Sequence, residues 1–421
     1  MIAHLDVEFF GEPVGTLTID GPLRGPEDWS FAYRHEYVRA GGPELSVTLP
    51  LREAPWRGAV ARNWFCNLLP EGAVRQAIVD RLRLPGDDDF ALLAAIGGEC
   101  AGAVSLRDPC ATDTATGSAS DDTDLEAVLY LQGGYGGSGS WALAGTPMRL
   151  SLAGAQDKLA VVAEPDGRLR LPRRGEPSTH ILKPDSPRFR GLREAEAFGL
   201  TLARRVGLDA VESRMVEVMD TPALLVRRYD RKQGSEGGLQ RLHQEDFCQA
   251  LGFPDALKYE QTGGPGLAAC SALVRRLALG PRAVRGLLDW VVFSALIGNA
   301  DAHAKNLSLL SDRSGRRWLA PLYDLVPTVY LPESLVERRP AMHIGDAARI
   351  DAVARSDWAA FARASGYRAA YVLDRVQSLA EAVTGNLEEV GDTLVAQGGD
   401  PGHVERVAAA IGRNAASIGA S

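Results

Sequence analysis

An α+β architecture, with an extra N-terminal α/β subdomain ahead of two lobes of which the last is all helical, is what this sequence predicts. Three observations carry it. The chain has 421 residues, more than one ordinary core accommodates, so two or three domains or lobes are expected. Strand signals alternate with short helices as far as Lys232, and beyond the turn-rich spacer ending at Gly238 the pattern is helical to Ser421. Between the first module and the rest, Asp108 to Asp124 is rich in Ala, Thr, Ser and Asp, and Gln132 to Ser140 in glycine, the composition of a linker. The predicted segments are 1–108 (N-terminal subdomain), 109–146 (linker), 147–235 (strand-bearing lobe) and 236–421 (helical lobe).

The elements follow in order. His4 to Phe10 and Val14 to Ile19 form a hairpin about Gly11-Glu-Pro13, and Leu45 to Leu51 reads as a further strand. Ala61 to Leu84 carries Trp64, Leu68, Val74, Ile78 and Leu82 at helical intervals, and Pro70 splits it into two helices. Phe90 to Ile96 is a short helix ended by Gly97-Gly98, and Ala101 to Leu106 returns as a strand. Within the linker a short helix is expected near Leu125 to Leu131. The Gly134-Tyr-Gly136-Gly-Ser-Gly139 match to a dinucleotide fingerprint reads as flexible chain, because neither a strand before it nor a helix after it is convincing. Strands resume with Arg149 to Lys158, Leu159 to Val162 and His180 to Lys183; then come a helix from Arg193 to Val206 and a strand pair, Ala210 to Met219 and Pro222 to Val226.

Composition bounds the function. With 45% hydrophobic and 24% charged residues the chain reads as a soluble globular protein. A formal net charge of -8 without a dense Lys/Arg block disfavours direct nucleic-acid binding. Met1 to Val7 lacks the basic and apolar regions of a secretory signal, and the longest apolar run, Leu287 to Gly298, is short and interrupted by Asp289, so no membrane span is expected. Cys66, Cys100, Cys110, Cys248 and Cys270 are odd in number with no C-x-x-C pair, which argues against a zinc ribbon or a disulfide framework and for a reducing cytoplasm.

One stretch concentrates the chemistry. Between apolar runs ending at Ile297 and beginning at Leu307 lie Asn299, Asp301, His303, Lys305 and Asn306. Asp301 and Asn306 have the Asp-x-x-x-x-Asn spacing of a protein-kinase catalytic loop, in which the Asp accepts the proton of an attacking hydroxyl and the Asn reaches a magnesium ion on the nucleotide phosphates. Trp318 to Val326 then reads as a strand delivering Asp324, a hard oxygen ligand for the same metal. Upstream, the small-residue turn before Lys158 has the character of a phosphate-covering loop, and Lys183 ends a strand where a phosphate-binding lysine would sit. Glu194 and Glu196 on the following helix are both candidates to pair with Lys183, and Arg227 to Arg231 is where the chain crosses between lobes. Taken singly, each residue is equally an ordinary polar loop or strand-end residue. In this chain order the six features predict a two-lobed, protein-kinase-like fold.

The same residues resemble the HipA-like serine/threonine kinases, the toxin half of bacterial toxin–antitoxin modules, over nearly the whole chain. Ser151 to Lys158 is similar to the family's phosphate loop and Ser178 to Lys183 to its ATP-lysine strand. Arg241 to Gly252, Lys258-Tyr259-Glu260, Gly263-Gly-Pro265, Ile297 to Asn306 and Tyr323-Asp324 complete the pattern. Leu49-Pro-Leu51, Asn67 to Pro70 and Gly102 to Val104 resemble its N-terminal subdomain. The resemblance implies Asp301 as general base, and Asn306 and Asp324 as Mg2+ ligands. It implies ATP contacts from Ala153, Gly154, Ala155, Gln156, Asp157, Lys158, Lys183, Arg227, Arg228, Tyr229, His303, Ala304, Lys305, Asn306 and Asp324, and autophosphorylation at Ser151. Ala195 stands where the family has Asn, which leaves Glu194 or Glu196 open, and Arg227 stands where an acidic residue is usual, which backbone contacts to adenine tolerate. Implied partners are a protein substrate such as an aminoacyl-tRNA synthetase and a small helix-turn-helix antitoxin, with DNA reached only through the antitoxin. The alternatives are a small-molecule kinase of the antibiotic-phosphotransferase kind, against which the Arg241 to Gly252 signature and the N-terminal module argue, and a corepressor acting mainly through an antitoxin–DNA complex.

Overall fold

The computed structural model describes residues 2–21, 25–86, 88–109, 158–173, 175–186, 189–218, 220–234 and 238–420. In chain order its elements are β1 (Ile2–Phe9), β2 (Glu12–Asp20), β3 (Trp29–Tyr33), α1 (His35–Ala40), β4 (Trp56–Arg57), α2 (Ala59–Cys66), α3 (Gly72–Leu82), α4 (Asp89–Ile96) and β5 (Val104–Arg107). Then come β6 (Leu159–Ala163), β7 (Leu169–Arg170), β8 (His180–Pro184), α5 (Leu192–Arg205), β9 (Ser213–Val218), β10 (Thr221–Arg227), β11 (Arg231–Gln233), β12 (Leu239–Arg241), β13 (His243–Asp246) and α6 (Phe247–Leu251). The rest is α7 (Leu267–Arg276), α8 (Pro281–Leu296), β14 (Ser308–Ser311), β15 (Arg317–Leu319), α9 (Arg355–Ala364), α10 (Ala369–Gly385), α11 (Leu387–Ala396) and α12 (Pro401–Gly419). Contacts divide the chain into two compact units. The first is Met1–Lys183, Arg228–Ala256 and Leu309–Arg317; the second is Pro184–Arg227, Leu257–Ser308 and Trp318–Ser421.

The first unit is built on an antiparallel sheet of order β4-β3-β2-β1-β5. Phe9 pairs with Glu12, so Phe10 and Gly11 alone make the β1–β2 turn, both at positive φ (53° and 81°), as a tight hairpin of matching twist demands. Leu5, Val7 and Phe9 alternate onto one face and join Leu17, Trp29, Phe31, Trp64 and Phe65 in the core. Each such side chain contributes about 1.5–3 kcal/mol on burial. The predicted helix pair is present, with α2 ending before Pro70 and α3 starting after it.

Leu45 to Leu51 is not a strand. Leu45 and Leu49 are buried, and so is the polar Ser46 between them, but no ladder forms. Tyr33 Oη accepts from Leu45 N (2.8 Å) and donates to Leu49 O (2.6 Å), and Glu245 accepts from Ser46 Oγ (2.6 Å) and Val47 N (3.3 Å). Side chains stand where neighbouring strands would, so the backbone groups are satisfied without pairing.

β6 pairs antiparallel with β7 and β8 in this unit. A buried charge cluster ties the Glu99–Gly102 loop to Arg228–Arg231. Arg228 donates to Asp230 (Nε–Oδ1 2.9 Å, Nη2–Oδ2 2.6 Å) and to Ser178 Oγ (2.9 Å). Arg231 donates to Asp230 Oδ2 (2.8 Å) and Glu99 Oε1 (3.2 Å), and Gly102 N adds a fourth donor to Asp230 (2.7 Å). Against the burial that would raise it, Arg228 and Arg231 hold Asp230 well below the usual carboxylate range.

The second unit is mostly helical. β9 and β10 form an antiparallel pair with α5 packed on them, α5 also meets α11 and α12, and α10 packs on α8 and α12. Asn414 on α12 donates Nδ2 to Ala295 O (2.7 Å), which also accepts from Gly298 N (2.9 Å), and to Leu296 O (2.8 Å), capping the end of α8. The protein is thus α+β with an N-terminal sheet subdomain and a helical C-terminal region, the short strands β14 and β15 flanking the polar turn at 312–315. Among the described residues no helix is long and apolar enough to cross a membrane, and the four described cysteines are buried and in no disulfide.

Candidate active site

The second unit places Asp301, His303, Lys305, Asn306 and Asp324 on two short segments joined by hydrogen bonds. α8 leads in. It starts with Pro281 in its first turn, and every residue from Leu287 to Leu296 is buried, so the helix runs through the core. It stops at Gly298, where φ is +70° and a Cβ would lie 2.3 Å from Val329, so only glycine fits. Thr328 Oγ1 then accepts from Ala300 N (2.9 Å) and donates to Gly298 O (2.9 Å).

Asp301 itself is exposed, on a loop that is closed around it. Its N–H donates to Asn299 Oδ1 (3.1 Å), and its carbonyl accepts from His303 N (2.9 Å) and Asn306 Nδ2 (3.2 Å). Asn306 therefore spends its amide nitrogen on the Asp301 backbone, which leaves its Oδ1 as the end suited to a metal. Tyr259 Oη donates to Asp301 Oδ1 (2.9 Å). Sequence reasoning had Tyr259 only as part of a signature, and gave Asn299 and Thr328 no role; their partners are close in space rather than in motif spacing.

Asp324 carries the second carboxylate on a left-handed backbone, φ 51°. Asp tolerates this region better than most side chains, and such strain, about 1–3 kcal/mol, gathers at functional sites. Asn299 Nδ2 donates to Asp324 O (3.4 Å), and Tyr323 Oη donates to Lys305 O (2.7 Å) while meeting Ser308 Oγ (2.6 Å). The two segments are thereby stitched together. An amide oxygen and a carboxylate are hard donors that fit Mg2+, which takes few protein ligands and completes its shell with phosphate and water.

His303 is buried and its Nδ1 has no hydrogen-bond partner among the described residues. Burial, reinforced by Lys258 and Lys305, pushes its imidazole down to about 3. It is neutral at physiological pH. The segment after Asp324 has only two short 3₁₀ turns, Thr328–Tyr330 and Ile350–Ala352, before α9. Arg338 donates to the carbonyls of Thr328 (3.0 Å), Val329 (3.1 Å) and Leu331 (2.5 Å), Arg349 pairs with Glu333 (2.7 Å) and Asp351 (2.8 Å), and Ala341 N reaches Ala300 O (2.9 Å).

The other predicted site residues are distributed. Lys158, Lys183, Arg228 and Tyr229 belong to the first unit, with Lys183 buried at the end of β8. The Arg228 guanidinium is committed to Asp230 and Ser178, so the backbone is what it offers a ligand. Arg227, in the second unit, is exposed and paired with Glu212 (3.0 Å). Glu194 and Glu196 are both buried in the second unit, where Glu194 bonds to Arg193 and accepts from Asp400 N (3.4 Å). Ser151, Ala153, Gly154, Ala155, Gln156 and Asp157 lie outside the described residues, as do the predicted linker from 110 onward and its Gly134–Gly139 run.

Comparison with known proteins gives a consistent set of likenesses. Residues 5–107 match the family model of the HipA N-terminal domain, and residues 150–387 that of the HipA-like C-terminal domain. A Sinorhizobium fredii protein, Y4mE, is 38% identical over 400 residues, 93% of each chain. The serine/threonine-protein kinase toxin HipA of Shewanella oneidensis is 29% identical over 360 residues, 79% of this chain and 76% of that one. A solved complex of Shewanella oneidensis HipA with HipB and operator DNA gives a TM-score of 0.80 at 23% identity, covering 98% of this chain and 97% of that one, a likeness of fold.

Proposed function

The chain belongs to the HipA family of serine/threonine protein kinases, and from that premise we propose that it transfers the γ-phosphoryl of ATP to a Ser or Thr hydroxyl of a protein, with Asp301 as general base. The observation that supports this reading best is the Asn306 Nδ2 bond to Asp301 O, which joins the proposed base and the proposed metal ligand on one short turn. Asp301 accepts the proton of the attacking hydroxyl as the new O–P bond forms and the bond to ADP breaks. Asn306 and Asp324 would hold Mg2+, which when bound neutralises phosphate charge. Lys183 supplies a fixed positive charge for the phosphates, with Ala153 to Lys158 covering them. Arg227 to Tyr229 and His303 to Asn306 complete the ATP contacts. Catalysis of this kind is positioning and electrostatics, and the bonded loop supplies both.

In the same reading the chain is the toxin of a toxin–antitoxin module, phosphorylating a translation component such as an aminoacyl-tRNA synthetase. It is restrained by a small helix-turn-helix antitoxin through which alone it reaches operator DNA; the Shewanella oneidensis relative solved with HipB and operator DNA supports that arrangement. Ser151 is its own target: a phosphate there adds about -1.5 to -2 charge beside the ATP phosphates and disfavours nucleotide binding.

Radiolabelled ATP with the purified protein in a lysate of its own host, followed by identification of the labelled band, tests the function. Wild type should label a discrete protein and Asp301→Asn should lose transfer by orders of magnitude while still binding nucleotide. Full activity in Asp301→Asn refutes the assignment of the base. Mass spectrometry of the same samples should find phosphate on Ser151 in wild type only.

A further inference from the structure

The phenol of Tyr259 meets Asp301 Oδ1 at 2.9 Å, and every observation around it says that this tyrosine is held in advance. Its ring stands edge-on to the buried, neutral His303, with centroids 5.4 Å apart and planes at 77°. Its carbonyl accepts from Thr262 N (3.1 Å), Thr262 Oγ1 (3.0 Å) and Gly264 N (2.9 Å). The next residue continues the attachment: Glu260 N donates to Ala341 O (3.0 Å), Ala341 N to Ala300 O (2.9 Å), and the Glu260 carboxylate accepts from His343 N (2.6 Å). Tyr259 and Asp301 are thus fixed to each other by backbone bonds as well as by the phenol.

We propose that Tyr259 is a positioning residue for phosphoryl transfer: its O–H locks one carboxylate oxygen of Asp301 so that the other faces the incoming hydroxyl. This rests on Asp301 being the general base. A carboxylate has two oxygens and room for several donors, so the phenol and a substrate hydroxyl are accommodated together. Tyr259 keeps its proton throughout; the substrate's proton passes to Asp301 as the O–P bond forms. The Lys258 ammonium lies 5.3 Å from the Tyr259 ring centroid and packs against the same ring.

Tyr259→Phe removes the hydroxyl and keeps the ring against His303, so the fold is retained. Two readouts on wild type, Tyr259→Phe and Asp301→Asn decide the matter: Mg-ATP affinity by calorimetry, and the kcat and KM of transfer from Mg-ATP to the acceptor found in the host lysate. Tyr259→Phe should keep the Mg-ATP affinity and the KM for ATP and lower kcat roughly tenfold or more. If kcat is unchanged in Tyr259→Phe while Asp301→Asn is inactive, Tyr259 does not position the base, and the base assignment stands. Faster turnover in Tyr259→Phe shows that the phenol competes with the substrate hydroxyl, which overturns the proposal. Full activity in Asp301→Asn removes the base assignment and this inference with it.

Discussion

Replacing Asp230 by Asn should cost the first unit about 3–5 kcal/mol, because it strips one charge from a buried cluster that already carries an excess of the other sign. Asp230 and Glu99 face Arg228, Arg231 and Arg241. By formal charge the five sum to one positive, and the strain is visible in Arg231, which burial and then Arg228 pull down to about 10. An amide at 230 leaves the sum at two positive, and turns an N–H2 group toward donors that need an acceptor: Arg228, Arg231 and Gly102 N. Glu99, 3.2 Å from Arg231 and 3.6 Å from Arg228, recovers part of the loss. A domain is typically stable by only about 5–15 kcal/mol, so the effect is large. Hydrogen exchange read by mass spectrometry is the local assay: the Gly102 amide and residues 228–233 should exchange faster by the corresponding factor. Replacing Arg228 by Met together with Asp230→Asn should recover more than half of the loss, since the charge excess falls again. A change below about 1 kcal/mol, or a double variant worse than the single one, would refute the electrostatic account.

Two further outcomes are expected. Asp324→Asn keeps a residue tolerant of the left-handed backbone at φ 51° while removing the charge, so Mg-AMPPNP affinity by calorimetry should fall at least about tenfold (~1.4 kcal/mol) with the thermal midpoint little changed; unaltered affinity would remove Asp324 from the metal site. Burial pushes Glu245 up to about 7, from an ordinary value of 4.5. Folding therefore favours its protonated form, a contribution fully present below pH 4.5 and lost as pH rises through 7. Glu245→Gln mimics the acid and should gain stability relative to wild type between pH 5 and 8, by on the order of 3 kcal/mol at most; a pH-independent difference in denaturation midpoints would contradict this.

What could be read from the sequence divides along physical lines. The β1–β2 hairpin, the helix pair about Pro70 and the long helices were legible because a local period or a single backbone-restricting residue determines each. Leu45 to Leu51 misled because its apolar side chains report burial, while its hydrogen bonds go to Tyr33 and Glu245, the latter about 200 positions away in the chain. The short strands β11 to β13 carry too few residues for any period to show. Within the candidate site, Asp301, His303, Lys305 and Asn306 share one stretch, so spacing alone brought them forward. Tyr259 is 42 residues from Asp301, and only the fold brings it there.

The Arg338 guanidinium, set on three successive-turn carbonyls of residues 328–331, has a consequence for how such an enzyme is governed. The stretch following a kinase's metal-binding Asp is where many of these enzymes place an on-switch, a loop that stays unformed until a phosphate recruits basic side chains. Here an arginine encoded in the stretch itself does the recruiting, with backbone oxygens in place of a phosphate. On the proposed assignment of Asp324, the stretch takes its shape from the fold without an activating phosphate, which leaves control to whatever binds or silences the enzyme afterwards.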